Sequence, residues 1–163
     1  MIEVRQARAA DAEAIASLST ETQALHAGAL PELFLPAGPD TFPADGVRVM
    51  LDEPGRVVLV ACERDVVVGF ASALVDQRET TELRYARSFL YVQLMGVRAT
   101  VRRRGVGRAL IDGLRAAALE RGVTAVLLDV WAFNSEASAF YEAMGFHLER
   151  QIMALDLTTP RQA

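Results

Sequence analysis

The sequence predicts a mixed α/β fold in which helices pack on one twisted sheet. Three observations point there. RVVLVACE (56–63) and VVVGFASALVD (66–76) are β-branched runs flanking Arg64-Asp65, as two strands flank a tight turn. Two later stretches, 105–121 and 134–144, carry apolar residues at helical spacing, and each stops at a glycine, Gly122 or Gly145. Between these helices lies TAVLLDVW (124–131), an almost unbroken apolar run suited to a strand covered on both faces.

Taken in order, IEVRQA (2–7) alternates like a short strand. Asp11 offers an N-cap to the helix DAEAIASLSTETQALHAG, with Ala14, Leu18 and Leu25 along one face. Residues 28–46 hold Pro31, Pro36, Pro39 and Pro43 and form a loop with room for one short helix. The hairpin 56–76 follows, and RETTELRYAR (78–87) is a polar loop. SFLYVQLMGV (88–97) is the next strand, with Gly96 marking a bulge or a close backbone approach. Val106, Leu110, Leu114 and Ala117 make the stripe of the second helix, and Asn134 or Ser135 caps the last one. FHLERQIMALDL (146–157) closes the fold as a strand. The order is β α (α) β β β α β α β, in a single domain of residues 1–158 with a disordered tail at 159–163.

Composition narrows the function. All 17 basic residues are arginine, so no Schiff-base or P-loop lysine exists. The lone Cys62 cannot close an internal disulfide and reads as a small buried hydrophobe; no Cys/His cluster has zinc spacing, and no metal is expected. No apolar run reaches the ~18–20 residues of a membrane span, and no signal segment opens the chain, so a cytoplasmic protein without a membrane partner is expected. The net charge of −4 argues against nucleic acid. Residues 1–96 carry an acidic excess and 97–163 a basic one, so an anion sits more comfortably in the second part and a cationic acceptor is tolerated by the first.

The basic excess centres on VRATVRRRGVGR (97–108), where two glycines open a helix directly after a strand. The first N–H groups of a helix lack internal partners, glycine removes the Cβ obstacle, and guanidinium groups pair with anion oxygens. This is the chemistry of a phosphate cradle. A Walker P-loop is excluded by the missing lysine. A Rossmann G-x-G-x-x-G is broken by Leu110 at its third position, even though Asp129 stands suitably downstream.

The stretch resembles the signature [R/Q]-x-x-G-x-[G/A] of the GNAT N-acetyltransferase superfamily, matched by Arg102-Arg103-Arg104-Gly105-Val106-Gly107 with Val97 at the expected distance. A second motif of that family, N-x-x-A-x-x-F-Y-x-x-x-G-F, is met by Asn134, Ala137, Phe140, Tyr141, Gly145 and Phe146. The resemblance implies a sheet whose fourth and fifth strands splay apart to admit acetyl-CoA. It implies that the amides of Arg103, Arg104, Gly105, Val106, Gly107 and Arg108, with Arg102, hold the pyrophosphate. Met95, Gly96 and Val97 would pair with the pantetheine arm, and Asn134 would contact the cofactor. Tyr141 would donate a proton to the departing thiolate, since a phenol stays protonated at neutral pH.

By the same resemblance Asp129 stands where some members carry a glutamate base, and burial in its apolar strand would make it a stronger base. Gln93 cannot take a proton, and Glu79 and Glu82 would act only through water. His147 faces solvent, His26 ends the first helix beside the loop where the family shapes its acceptor site, and Trp131 packs in the core or lines that site. The implied function is direct acetyl transfer from acetyl-CoA to a primary amine, on a small molecule or a peptide or protein N-terminus. A non-catalytic acyl-CoA sensor is the rival and a dinucleotide-binding module the next. The acceptor and homodimer formation are left open.

Overall fold

The computed structural model describes residues 1–38, 40–155 and 157. In chain order the elements are β1 (Ile2–Gln6), α1 (Ala12–Ala29), α2 (Ala44–Leu51), β2 (Arg56–Glu63), β3 (Val66–Arg78), β4 (Arg87–Val97), α3 (Val106–Glu120), β5 (Val126–Leu128) and α4 (Ser135–Ala143). The strands form one sheet in sequence order, β1-β2-β3-β4-β5. All neighbours are antiparallel except β4 and β5, which are parallel. The β2–β3 hairpin turns on Arg64 and Asp65, both at positive φ, as a two-residue turn matching strand twist requires.

Both faces of the central strands are covered, which is why β2 reads as a continuous apolar run. Val57 and Leu59 point to a core completed by Leu110, Ile111 and Leu114 of α3. Val58 and Val60 point to a second core with Ile15 and Leu18 of α1 and Val47 of α2. The two cores make a three-layer α/β/α arrangement.

Four expectations are corrected. The buried face of α1 runs through Ala12, Ile15, Leu18 and Ser19, and Leu25 is exposed. Asp11 precedes α1 but makes no side-chain cap. Its carboxylate takes both guanidinium nitrogens of Arg5 at 2.7 and 2.8 Å and the main-chain N–H of Arg8 at 2.7 Å. The strand expected at 124–131 shrinks to Val126–Leu128. The closing strand expected at 146–157 does not form over 146–155, where Leu148, Ile152, Met153 and Leu155 are exposed. Asp156 of that expected strand lies outside the described residues, as does the tail at 159–163. Pairing explains the last two changes: β5 contributes three register pairs to β4 and has no partner among the described residues on its other side.

The Asp11–Arg5 pair ties β1 to the start of α1. It holds the Asp11 carboxyl below its usual 3.8, through the Arg5 hydrogen bond first and despite burial. A depressed carboxylate stabilises the fold above its unfolded value and loses that contribution as pH falls below it. Asp11→Asn is therefore expected to lower unfolding free energy by about 2 kcal/mol at pH 7. Urea titrations across pH should show the gap between variant and wild type closing below pH 3.8.

Candidate active site

The site begins where pairing ends. β4 meets β5 only at Leu90↔Val126, Tyr91↔Leu127 and Val92↔Leu128, whereas it stays paired with β3 as far as Val97↔Gly69. The β3 register shifts between Ser72 and Ala73, leaving Gln93 as the extra residue of a bulge. Gln93 is exposed and its amide oxygen accepts from Arg56 at 2.7 Å. Past this point, among the described residues, no strand pairs with the β5 side of β4 at Met95, Gly96 and Val97.

Gly96 is a point of close approach. A Cβ there would lie 2.9 Å from Thr22 Oγ1 and 3.0 Å from Phe70 Cε1, so α1 rests on β4 at this residue. The bulge expected near it falls at Gln93 instead.

The turn after β4 leads directly into α3. A single 3-10 turn, Ala99–Val101, is followed by Arg103 at φ 61° and Gly105 at φ 85° before α3 begins. The first α3 hydrogen bond to be closed is Ala109 N–H to Gly105 O at 3.0 Å. Among the described residues, no protein atom accepts a hydrogen bond from the main-chain N–H groups of Arg103 through Arg108. An unsatisfied row of donors at a helix N-terminus is a seat for an anion.

The side chains around the row are arranged differently from expectation. Arg103 pairs with Glu136 at 3.3 Å and Arg104 with Glu63 at 2.6 Å, both exposed at the guanidinium, while Arg102 Nε reaches Val97 O at 3.3 Å. Exposed pairs of this kind are worth little and exchange readily for a better anion. Gly107, expected to let a phosphate approach, has another role. A Cβ on it would lie 3.0 Å from Phe140 Cζ and 3.7 Å from Met95 Cε. It lets α3 touch α4 and so joins the two motifs.

That contact sets Tyr141. Its ring meets Phe140 at 5.1 Å and Phe146 at 5.5 Å, and its hydroxyl donates to Met95 Sδ at 3.6 Å. Burial pushes its pKa up to about 12. The structure thus brings Met95, Gly107 and Tyr141 together.

Other expected residues lie elsewhere or do other work. Asn134 caps α4, its Oδ1 accepting from Ala137 N at 3.0 Å, which leaves its NH2 group uncommitted. Asp129 is not buried as expected: it is exposed, one residue beyond β5, and accepts the Tyr91 hydroxyl. Glu79 and Glu82 sit in the exposed loop ahead of Arg87, about 25 Å along β4 from Met95 at ~3.3 Å per residue. His147 is exposed, as expected, and Cys62 is buried, which raises its thiol pKa.

Sequence reasoning missed a cleft of about 120 Å³ between α1, residues 41–42 and β4, lined by Ser19, Thr22, His26, Phe42, Leu94 and Met95 among others. His26 lies in the last turn of α1, as expected, and stacks on Phe34 with centroids 5.0 Å apart. Trp131 is 44% exposed and meets Phe34 edge-on at 5.1 Å, so it is no core residue. A larger hollow of about 400 Å³ between α1 and α2, walled by Glu13, Asp45 and Arg48, contains none of the motif residues.

A mixed sheet parted between β4 and β5, with an open amide turn at the end of β4, is the architecture of an acyltransferase domain. The sequence pattern of the acetyltransferase (GNAT) family matches residues 11–146, and the chain belongs to that family. It is 32% identical over 104 residues to human N-acetyltransferase 8, an alignment covering 63% of this chain and 44% of that protein. Among solved structures, a mutant of the BH1408 protein from Bacillus halodurans superposes with a TM-score of 0.90 at 26% identity, covering 95% of this chain and 99% of that one. AAC(6')-Iy, solved with the bisubstrate analogue CoA-S-monomethyl-acetylneamine, shares the fold at a TM-score of 0.73 and 20% identity, over 96% of this chain and 98% of that one. Among the described residues no helix is long and apolar enough to cross a membrane.

Gly96→Ala is expected to cost about 1–3 kcal/mol, because α1 must lift from β4. Gly28→Ala, where a Cβ meets nothing within 4 Å, is expected to stabilise α1 by about 0.5–1 kcal/mol. Thermal unfolding of the two variants side by side distinguishes a packing constraint at Gly96 from a general intolerance of the helix and strand.

Proposed function

We propose that this protein moves an acetyl group from acetyl-CoA directly to a primary amine, with no covalent enzyme intermediate. The observation that carries the reading is the row of main-chain N–H groups from Arg103 to Arg108 with no acceptor among the described residues, at the end of a strand that has lost its β5 partner. The row suits the diphosphate of coenzyme A, with Arg102 and Arg108 free of carboxylate partners among the described residues. The β5 side of β4 at Met95 to Val97 suits the amide groups of the pantetheine arm, and the uncommitted NH2 of Asn134 is available to the same ligand. Membership of an acetyltransferase family supports acyl transfer as the outcome.

The chemistry needs an amine lone pair to bond to the thioester carbonyl carbon, the C–S bond to break with its electrons on sulfur, and one proton to pass from nitrogen to sulfur. Alignment of the two reactants supplies the largest share of the rate. Tyr141 serves the sulfur. With its pKa pushed up to about 12, full transfer of its proton to a thiolate with a conjugate acid near ~8.5 runs uphill. Donating a hydrogen bond does not, and it stabilises the charge growing on sulfur. Once nitrogen has bonded to carbon its N–H is far more acidic than in the amine, so a solvated carboxylate such as Asp129, or water, suffices to take it.

Thiol release from acetyl-CoA over a panel of amines tests this. Tyr141→Phe is expected to lower kcat by about 10²-fold, with coenzyme A affinity by calorimetry changed less than about twofold. Affinity without turnover of any amine would make the protein a binding module. No affinity for coenzyme A would remove the whole reading.

A further inference from the structure

We infer that the acceptor is a monoamine on a flat apolar body, of the arylalkylamine class, received in the cleft between α1, residues 41–42 and β4. This rests on the acetyl-transfer reading and adds a substrate class to it. Position comes first. Met95 lines the cleft, lies on the part of β4 freed from β5, and takes the Tyr141 hydroxyl on its sulfur at 3.6 Å. One side chain therefore separates the cleft from the residue that serves the leaving group.

Charge comes next. Among the described residues His26 is the one ionisable group lining the cleft, and burial lowers its pKa from the ordinary 6.5, which favours the neutral ring at pH 7. Glu21, on the same helix, faces Arg98 at 3.7 Å and accepts the Ala99 N–H at 3.3 Å. A polyamine or aminoglycoside would bring several ammonium groups to walls that hold no carboxylate, and their desolvation would go uncompensated. A single amine needs less. Ser19 and Thr22 spend their O–H groups on the carbonyls of Ile15 and Leu18, which leaves their oxygens able to accept from an amine N–H.

Size and shape agree. An apolar cavity of about 150 Å³ takes one benzene ring, and this cleft of about 120 Å³ admits the amine end and part of a ring. His26 also opens a chain of rings drawn from three parts of the sequence. It stacks on Phe34 at 5.0 Å and meets Phe133 at 5.9 Å, and Phe34 meets Trp131 at 5.1 Å. Such faces pack a flat body and attract a lone ammonium group through cation–π contact.

The test compares phenethylamine, spermidine and neamine as acceptors in the thiol-release assay. Phenethylamine is expected to lead in kcat/KM by about 30-fold or more, the scale of losing compensation for one buried charge. His26→Ala and Phe34→Leu are expected to raise its KM about tenfold, the worth of one ring contact, with kcat and coenzyme A affinity unchanged. Emission from Trp131, the sole tryptophan, is expected to shift when phenethylamine joins the coenzyme A complex, and to shift less in Phe34→Leu. Preference for spermidine or neamine, an unchanged KM in both variants, or no turnover of phenethylamine overturns the proposal. If coenzyme A still binds, only the acceptor assignment falls; if it does not, acetyl transfer falls with it.

Discussion

β4 cannot keep both neighbours for its whole length, and the site depends on that. Its pairing with β3 runs to Val97, but its pairing with β5 stops at Val92, where the extra residue Gln93 bends the strand. A backbone that has lost its ladder partner must satisfy its polar groups elsewhere. Here the unpaired stretch is also the stretch that feeds the amide row at the start of α3. Two consecutive runs of unspent backbone polarity, one along a strand edge and one around a helix start, are what an extended ligand with amides and a diphosphate can use.

Two glycines then decide what stands beside that backbone. Gly96 lets α1 come down onto β4, and Gly107 lets α4 come down onto α3. The first brings the cleft of Ser19, Thr22 and His26 to one side of Met95. The second brings Tyr141 to the other side, where Phe140, Phe146 and Met95 exclude water and drive its pKa up. The burial that makes Tyr141 a weak acid also fixes the direction of its hydroxyl. In the proposed transfer its service to the leaving group is that of a placed donor.

Charge is divided between the two sides. Arg103 holds the exposed Glu136 and Arg104 the half-buried Glu63, and Arg102 folds back on the end of β4. In the proposed binding mode they act on an arriving anion as a local positive field with exchangeable partners, while the fixed grip belongs to the backbone. The cleft proposed for the acceptor carries hydroxyls and rings. On that proposal, a polyanion and a singly charged amine meet surfaces of different kinds.

Residue patterns with short-range causes could be read from the sequence. The tight turn at Arg64 and Asp65, the helix stops at Gly122 and Gly145, the capping side chain of Asn134 and the apolar stripe of α3 are set within a few residues of themselves or by the hydrophobic period. The family motifs added the parting of β4 from β5. What the sequence left hidden was set by contacts across the chain. Asp11 was taken by Arg5, Asp129 stayed in solvent, and Gly107 faced Phe140. The closing strand over 146–155 found no place, because its apolar alternation says that a strand is favoured and not whether an edge is there to receive it. His26, Phe34, Phe133 and Trp131 lie far apart in sequence and carry no common spacing, so their junction exists only once the fold has closed. Local geometry and periodicity are encoded by neighbours in the chain; the meeting of distant side chains is a property of packing, and packing alone decided the cleft between α1 and β4.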